Sequence, residues 1–387
     1  MAKDQVNAIS ILFAGDFAPC RGFERIVLDN GRGIFGDLQE DILNADLSFL
    51  NLETPLCTGN HRVSKIGPNL RSHPQCVKAL AEVGFRVVSL ANNHIMDFGP
   101  SGLKETVTTC QNAGLLTCGA GRNLAEAQKV SYIETKGLKI AFVAVAEHEF
   151  SIADLDNPGA APLDTIDNAL QIERAKEEAD LVLVSIHGGN EYFPYPRPGL
   201  RKVCRFYINR GADAVICHHP HVPGAYELYD GKPIVYSLGN LIFDHSRPPK
   251  NWDLGYVCLL RYNVQTKRLI SHEIMPYLQS VPLSGIKKMH KIEKAAFLQN
   301  LEGYKIVLQN DEAYNREWLA FCQKEKKNML IKQYAPIVFP GLRRFSRIIN
   351  PEIFFLPTKT SRRLKLNMVH CESHLEILQT VLAQSKY

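Results

Sequence analysis

GADAVICHHPHV, residues 211–222, is an apolar run that ends in three histidines within four residues. Residues 214–217 read as a β-strand, and the histidines follow it directly. Three imidazoles so close together are costly in a core, because each buried ring nitrogen needs a partner. A turn that carries two or three of them toward one point is what a metal centre needs, and the spacing sets His219 and His221 on the same side of an extended segment. The arrangement recurs along the chain. Strand-like runs over 9–14, 47–52, 87–90 and 181–186 lead into Asp16, Glu53, Asn93-His94 and His187. Ligand-type residues therefore collect where strands give way to loops, on the rim at which open α/β sheets bind their ligands.

Outward from these runs, strand signals alternate with helical ones over 33–44, 74–83, 100–113, 161–179 and 198–210. Three of the helical segments begin at a proline, whose missing N–H costs nothing in a first turn. The alternation predicts an α/β fold with a largely parallel sheet. Residues 233–238, 254–262 and 269–276 then read as successive strands with short polar turns, which predicts a second, partly antiparallel sheet. Residues 286–321 return to helical spacing. We accordingly expect a site-bearing domain over 1–283 and a mostly helical, basic extension over 284–387.

Composition limits the class. With 387 residues, 45% hydrophobic and 22% charged, the chain can bury a full core. Ten cysteines without a CxxC pair suit reduced thiols of a cytosolic protein better than a disulfide framework. The first apolar run is too short for a signal-peptide core or a membrane span. The net charge of +5 is uneven: eleven Lys or Arg stand against two Glu between Lys324 and Lys365, so a basic tail follows a mildly acidic body. No nucleic-acid partner is expected.

The single positions carry competing readings. Asp16, after an apolar strand and a glycine, is either a ligand or a turn-forming residue. Glu53 is either a ligand or a solvated carboxylate past a strand end. In SLANNHIMDFG, residues 89–99, an Asx-turn accounts for one asparagine but gives His94 and Asp97 no purpose, whereas a site uses an amide oxygen and an imidazole together. His187 and Glu191 frame a further loop, HGGNEY, whose glycine pair lets backbone approach an anion. Oxygen and nitrogen donors without cysteine suit Mn, Fe, Zn or Mg, and two such ions sharing a carboxylate suit phosphoester hydrolysis.

Taken in order, GDF (15–17), NLETPL (51–56), SLANNHIMDFG (89–99), HGGNEY (187–192), GADAVICHHPHV (211–222) and GKPIVYSLGNLIFD (231–244) resemble the CapA family of poly-γ-glutamate capsule-synthesis proteins. That family falls in the calcineurin-like metallophosphoesterase superfamily. The resemblance spans about residues 8–280 and implies a four-layer α/β/β/α sandwich with the metal site at the sheet rim. It implies Asp16 as a ligand of the first metal, Glu53 as the bridging carboxylate, and Asn93, His187 and His219 on the second metal. His221 returns to the first metal, and His218 is a neighbour. His94 is implied as the general acid or a phosphate contact; Asp97 and Glu191 join it as catalytic candidates from their place in the loops 89–99 and 187–192. Two positions depart from the pattern. Ala18 stands where the superfamily usually has a histidine, which leaves open whether one or two ions bind, and Gly188 stands where many relatives have a tryptophan.

The expectation is a metal-dependent hydrolase of a phosphoester or polyanionic precursor in surface-polymer synthesis. The alternative is a non-catalytic accessory protein that positions a polyanion or a partner enzyme. Expected partners are an anionic small molecule or polymer and membrane-associated capsule assembly enzymes, with the protein cytoplasmic or peripheral at the inner face of the membrane. The apolar and arginine-rich stretch over 334–357 either lies on an anionic membrane surface or packs back on the body.

Overall fold

The computed structural model describes residues 7–65 and 67–334. The first strands are β1 (Ala8–Ala18), β2 (Leu47–Leu52), β3 (Val87–Ser89) and β4 (Leu116–Cys118). A two-residue strand β5 (Ala120–Gly121), then β6 (Ser131–Thr135), β7 (Leu138–Ala146) and another two-residue strand β8 (Gly159–Ala160) follow. The second half adds β9 (Leu181–His187), β10 (Ala214–His218), β11 (Tyr226–Tyr229) and β12 (Lys232–Val235). Last come β13 (Asn240–Phe243), β14 (Leu254–Asn263), β15 (Leu269–Ser280) and β16 (Gly285–Lys288).

These strands build two large sheets. One has the order β16-β15-β14-β1-β2-β3-β4, with β13 also paired to the end of β1. The other runs β11-β12-β10-β9-β7-β6. In the first, β1 to β4 are parallel and β14 to β16 antiparallel; in the second, β7, β9, β10 and β12 are parallel between antiparallel edges.

The sheets pack face to face through aromatic side chains. Phe49 of β2 stacks on Phe142 of β7 with ring centroids 5.6 Å apart and planes 6° apart. Tyr262 of β14 donates its hydroxyl to Asp213 O at 3.1 Å across the same interface. The parallel strands are buried on both faces, so they read as continuous apolar runs.

Helices α1 (Gly22–Asn30), α2 (Gln39–Asn44), α3 (Val77–Val83) and α4 (Gly99–Asn112) belong to the first sheet. Between α1 and α2 a 3₁₀ segment, Gly31–Leu38, sets Phe35 against Phe17 of β1 at 6.0 Å. The short α5 (Leu124–Ala127) precedes α6 (Thr165–Glu178) and α7 (Pro198–Asn209), which bury Ile172, Ala175, Leu200 and Cys204 against the second sheet. The result is an α/β/β/α sandwich. After it come α8 (Lys291–Gln309) and α9 (Asp311–Tyr334).

Several expectations change. The helix read over 33–44 is broken at Gly36, whose φ of 51° is left-handed and whose missing Cβ leaves room for Ile286 O. The strands read over 233–238, 254–262 and 269–276 do not form a sheet of their own. β12 joins the second sheet in parallel, while β14 and β15 extend the first, because their long apolar faces complete its core. Residues 286–288 are strand rather than helix, since β16 pairs with β15. Helix α1 and the strand β7, LKIAFVAVA, had no counterpart in the sequence reading.

Residues through Tyr314 form one compact unit, beyond the division near 283 expected from composition, and the chain from Asn315 belongs to a second. The first takes in α8 through buried Phe297, Leu301 and Leu308. In the second, Trp318 and Phe321 lie 6.0 Å apart. The apolar and arginine-rich stretch beyond Tyr334 and the rest of the basic extension after it lie outside the described residues. Among the described residues no helix is long and apolar enough to cross a membrane.

Candidate metal centre

Parallel pairing brings the strand ends to one rim. β1 and β2 set Asp16 opposite Asn51, with Glu53 two residues on, and β9 and β10 set His187 opposite His218. The turn after β10 adds His219 and His221, and the loop after β3 adds Asn92, Asn93 and His94. The turn is strained: φ is 97° at His219 and 60° at His221, in the region L-residues avoid. Such strain persists only where surrounding structure over-determines it, and it concentrates at functional sites.

Two groups of side chains converge. Glu53, His187 and His219 place one ligand atom each within 4.8 Å of one another, and so do Asp16, Glu53 and His221. His187 Nε2 lies 3.5 Å from Glu53 Oε1, 3.1 Å from His219 Nδ1 and 3.1 Å from Asn93 Oδ1. His221 Nε2 lies 3.6 Å from Glu53 Oε1, and its Nδ1 3.4 Å from Asp16 Oδ2. Ligand atoms each about 2.1 Å from a shared ion stand about 3.0–3.5 Å apart, which the three separations around His187 Nε2 match, whereas His221 meets Asp16 and Glu53 through different ring nitrogens, so its set is the looser of the two.

The polar bookkeeping agrees with a cation. Glu53 is fully buried, and neither carboxylate oxygen has a hydrogen-bond partner. Burial, then the charges of Asp16, Glu191 and Glu149, push its carboxyl well above the usual carboxylate range. Burial would also raise Asp16, but the imidazoles of His218 and His221 outweigh it and hold that carboxyl well below the usual value. His187 is pushed well down by burial and by the neighbouring His219, so it is a neutral ring, the form in which imidazole binds a metal. Without a cation the site holds a carboxyl that cannot ionise cheaply; with one, Glu53 has its counter-charge.

The surrounding groups orient these side chains. Asn51 Nδ2 donates to Asp16 Oδ1 at 2.8 Å and lies 3.2 Å from His187 Nδ1. Asn92 Nδ2 donates to Asn51 Oδ1 at 3.2 Å and to Leu52 O at 2.9 Å. Asn240 Oδ1 lies 3.0 Å from His221 Nδ1, and Asn240 Nδ2 donates to His221 O and Trp252 O. His218 Nδ1 is 3.2 Å from Asp16 Oδ1 without hydrogen-bond geometry, and its ring backs the site against Phe49.

His94 is buried beside these groups, its Nδ1 2.7 Å from Asp97 Oδ2. Asp97 is fully buried and also accepts from Leu70 N at 2.6 Å, so it stands behind His94 rather than among the converging ligands. Lys65, nearly buried, closes an ion pair on the other oxygen of Asp97. Glu191 is exposed, and its charge acts on Glu53 and His221 from the rim. Ala18 packs with Cys20, Leu70, Phe243 and Trp252, an apolar wall beside His221. A Cβ at Gly188 would lie 2.6 Å from Glu147 Cγ, and Glu147 is held there by Arg197 at 2.8 Å.

Sequence reasoning did not single out Asn51, Asn240, Lys65 or Glu149. The two asparagines sit inside the quoted motifs, so their amides were a usable signal. Lys65 and Glu149 lie in loops with no local pattern.

Comparison with known proteins adds three findings. The family described as bacterial capsule synthesis protein PGA_cap matches residues 10–245. The chain is similar to the PGA biosynthesis protein CapA of Bacillus subtilis, 34% identical over 244 residues that cover 62% of this chain and 64% of that one. It is also similar to a probable polyglutamine synthesis accessory protein of Mycobacterium tuberculosis, 32% identical over 52% of this chain and 56% of that one. The match thus spans less than two thirds of these relatives' length. Among solved structures, a phosphatase from Mycoplasma pneumoniae aligns with TM-score 0.47 and 16% identity, covering 72% of this chain and 96% of that one. A putative 5′-nucleotidase from Staphylococcus aureus aligns with TM-score 0.45 and 12% identity, covering 76% and 58%.

Proposed function

Because the chain belongs to the PGA_cap family of bacterial capsule synthesis proteins, we propose that its rim is a divalent metal centre that hydrolyses a phosphoester or polyanionic precursor during surface-polymer synthesis. Asp16, Glu53 and His221 hold one ion; Glu53, Asn93, His187 and His219 hold the other. The observation that carries this reading is Glu53, a carboxylate with no exposure and two unpartnered oxygens between two sets of converging donors. When bound, such ions supply a water of lowered pKa and neutralise charge on phosphoryl oxygens.

The chain's own residues supply the rest. Asp97 holds His94 by Nδ1, which leaves Nε2 to hold or deliver a proton at a leaving oxygen. Lys65 fixes Asp97 in turn. Glu191 acts at the rim as a further acid–base group. A cytoplasmic setting is supported by reduced, buried thiols such as Cys204 and Cys217, whose sulfurs lie 3.7 Å apart; a place at the inner face of the membrane beside capsule assembly enzymes is proposed from the family alone.

A second reading keeps the metal but not the turnover: an accessory protein that positions a polyanion. It is favoured by the name of the Mycobacterium tuberculosis relative, which is called an accessory protein. Elemental analysis followed by assay with an aryl phosphomonoester and an aryl phosphodiester separates the readings. Metal with hydrolysis that is lost in Glu53→Gln supports the enzyme. Metal without hydrolysis leaves the accessory role, and a protein that takes up no metal overturns both.

A further inference from the structure

We infer that Glu149 is a positioning residue that makes Asn93 a metal ligand, by holding its side-chain amide with the oxygen turned into the site. The inference rests on the metal-centre reading above. An asparagine side chain ends in an oxygen on one side and an NH2 on the other, and only the oxygen can hold a cation. What fixes the flip therefore decides whether the residue is a ligand at all.

Two contacts define the amide of Asn93. Its Oδ1 lies 3.1 Å from His187 Nε2, and its Nδ2 donates to Glu149 Oε2 at 3.0 Å. Reversing the amide would set its oxygen against the Glu149 carboxylate and turn two N–H groups toward the ligand atoms. A hydrogen bond to a carboxylate is about twice as strong as one between neutral groups, and it also draws electron density toward Oδ1. The second oxygen of Glu149 stands 3.8 Å from His219 Nε2, while His219 Nδ1 faces His187 Nε2. One carboxylate thus backs two of the side chains around the same ion, the outer support that metal ligands commonly have.

Packing does not explain this residue. The Glu149 side chain is 37% exposed and fills no part of the core. The backbone nevertheless holds it in reach: Ser151 Oγ donates to Asn93 O at 2.7 Å, which ties the loop carrying Glu149 to the loop carrying Asn93. A carboxylate retained in such a place is accounted for by an ion and by the amide it orients.

The test uses the full chain, with Mn2+ binding measured by calorimetry and by competition with a chelator. Wild-type protein is measured first, and thermal unfolding of the metal-free variants confirms that they fold. Glu149→Ala should weaken the ion held by Glu53, Asn93, His187 and His219 by about 10- to 100-fold, and leave the other ion at wild-type affinity. Glu149→Gln, whose side-chain oxygen still accepts from Asn93 Nδ2, should retain most of the affinity. Wild-type binding in Glu149→Ala would sink the inference while the centre stands. So would equal weakening in both variants, because the role would then be charge and not orientation. A wild-type protein that binds no Mn2+ would remove the centre and the inference together.

Discussion

Asp97 presents one carboxylate oxygen to His94 Nδ1 at 2.7 Å and the other to the ammonium of Lys65, so one buried acid serves both an imidazole and a buried cation. The pairing separates two properties that a single substitution would confuse. Lys65 Nζ also lies 3.2 Å from His94 Nδ1, so the three groups form one cluster, in which the His94–Asp97 contact bears on chemistry and the Lys65–Asp97 ion pair on stability.

For His94→Ala we expect kcat toward an aryl phosphoester to fall by about 10²- to 10⁴-fold with metal content unchanged. Asp97→Asn leaves Lys65 buried without a counter-ion and should cost about 3–5 kcal/mol by urea unfolding. Adding Lys65→Met to Asp97→Asn should recover much of that stability but none of the rate. Recovery of both would show that His94 is not held for catalysis.

The two donor sets share only Glu53, which predicts a pattern of metal content. His187→Ala should reduce two bound ions to one, and Glu53→Gln should remove both. The double substitution His219→Ala with His221→Ala should abolish high-affinity binding. Full stoichiometry by elemental analysis in that double variant contradicts the assignment.

Chelation should lower the melting temperature of the wild-type protein, since a ligand held only by the folded state stabilises it by about 2.7 kcal/mol at a hundred times its Kd. The same treatment should leave Glu53→Gln unmoved. An equal shift in both proteins would place the relevant metal elsewhere.

Gly15 lies immediately before the first ligand, and a Cβ there would lie 1.9 Å from Gly239 O, the carbonyl that accepts from Asp16 N at 3.1 Å. Backbone, not a flexible side chain, is in the way. Gly15→Ala should therefore cost about 1–3 kcal/mol or more, and should weaken metal binding by shifting Asp16 against Asn240. Unchanged affinity would mean that the β1–β13 register does not hold the ligand.

Away from the site, Asp46 accepts from Ser10 N at 2.8 Å and Ser10 Oγ at 2.7 Å and pairs with Lys136 at 2.8 Å. Partial burial alone would raise its carboxyl; the bonds from Lys136 and Ser10 outweigh it and leave it below the usual value. A lowered folded value means that the stabilisation is present above the unfolded pKa of about 3.9 and is lost as pH falls through the folded one. The stability difference between wild type and Asp46→Asn, about 1 kcal/mol for so accessible a pair, should be flat above about pH 5 and shrink below it. A difference that grows with acid would reverse the sign.

How much of this was legible in sequence depended on range. Asp16, Glu53, Asn93, His187, His219 and His221 were each visible as a ligand type just past an apolar run, because a strand's periodicity and its end are local properties. Helices over 74–83, 100–113 and 198–210 were visible for the same reason, each with a proline at its start. The kink at Gly36 was not, since a glycine's φ is set by what its missing Cβ makes room for, here Ile286 O.

The chain by itself determined which chemistry it carries: donors without cysteine, spaced at strand ends, in the order of one family. Tertiary structure decided how those donors combine. Only strand order makes Glu53 common to two sets, places β14 and β15 beside β1, and leaves the Glu53 oxygens without partners. Only loop packing brings Lys65 to Asp97 and Glu149 to Asn93, contacts that span 32 and 56 residues. A charged side chain in a loop has no periodicity to betray it, and its role appears only when folding brings a distant partner within reach.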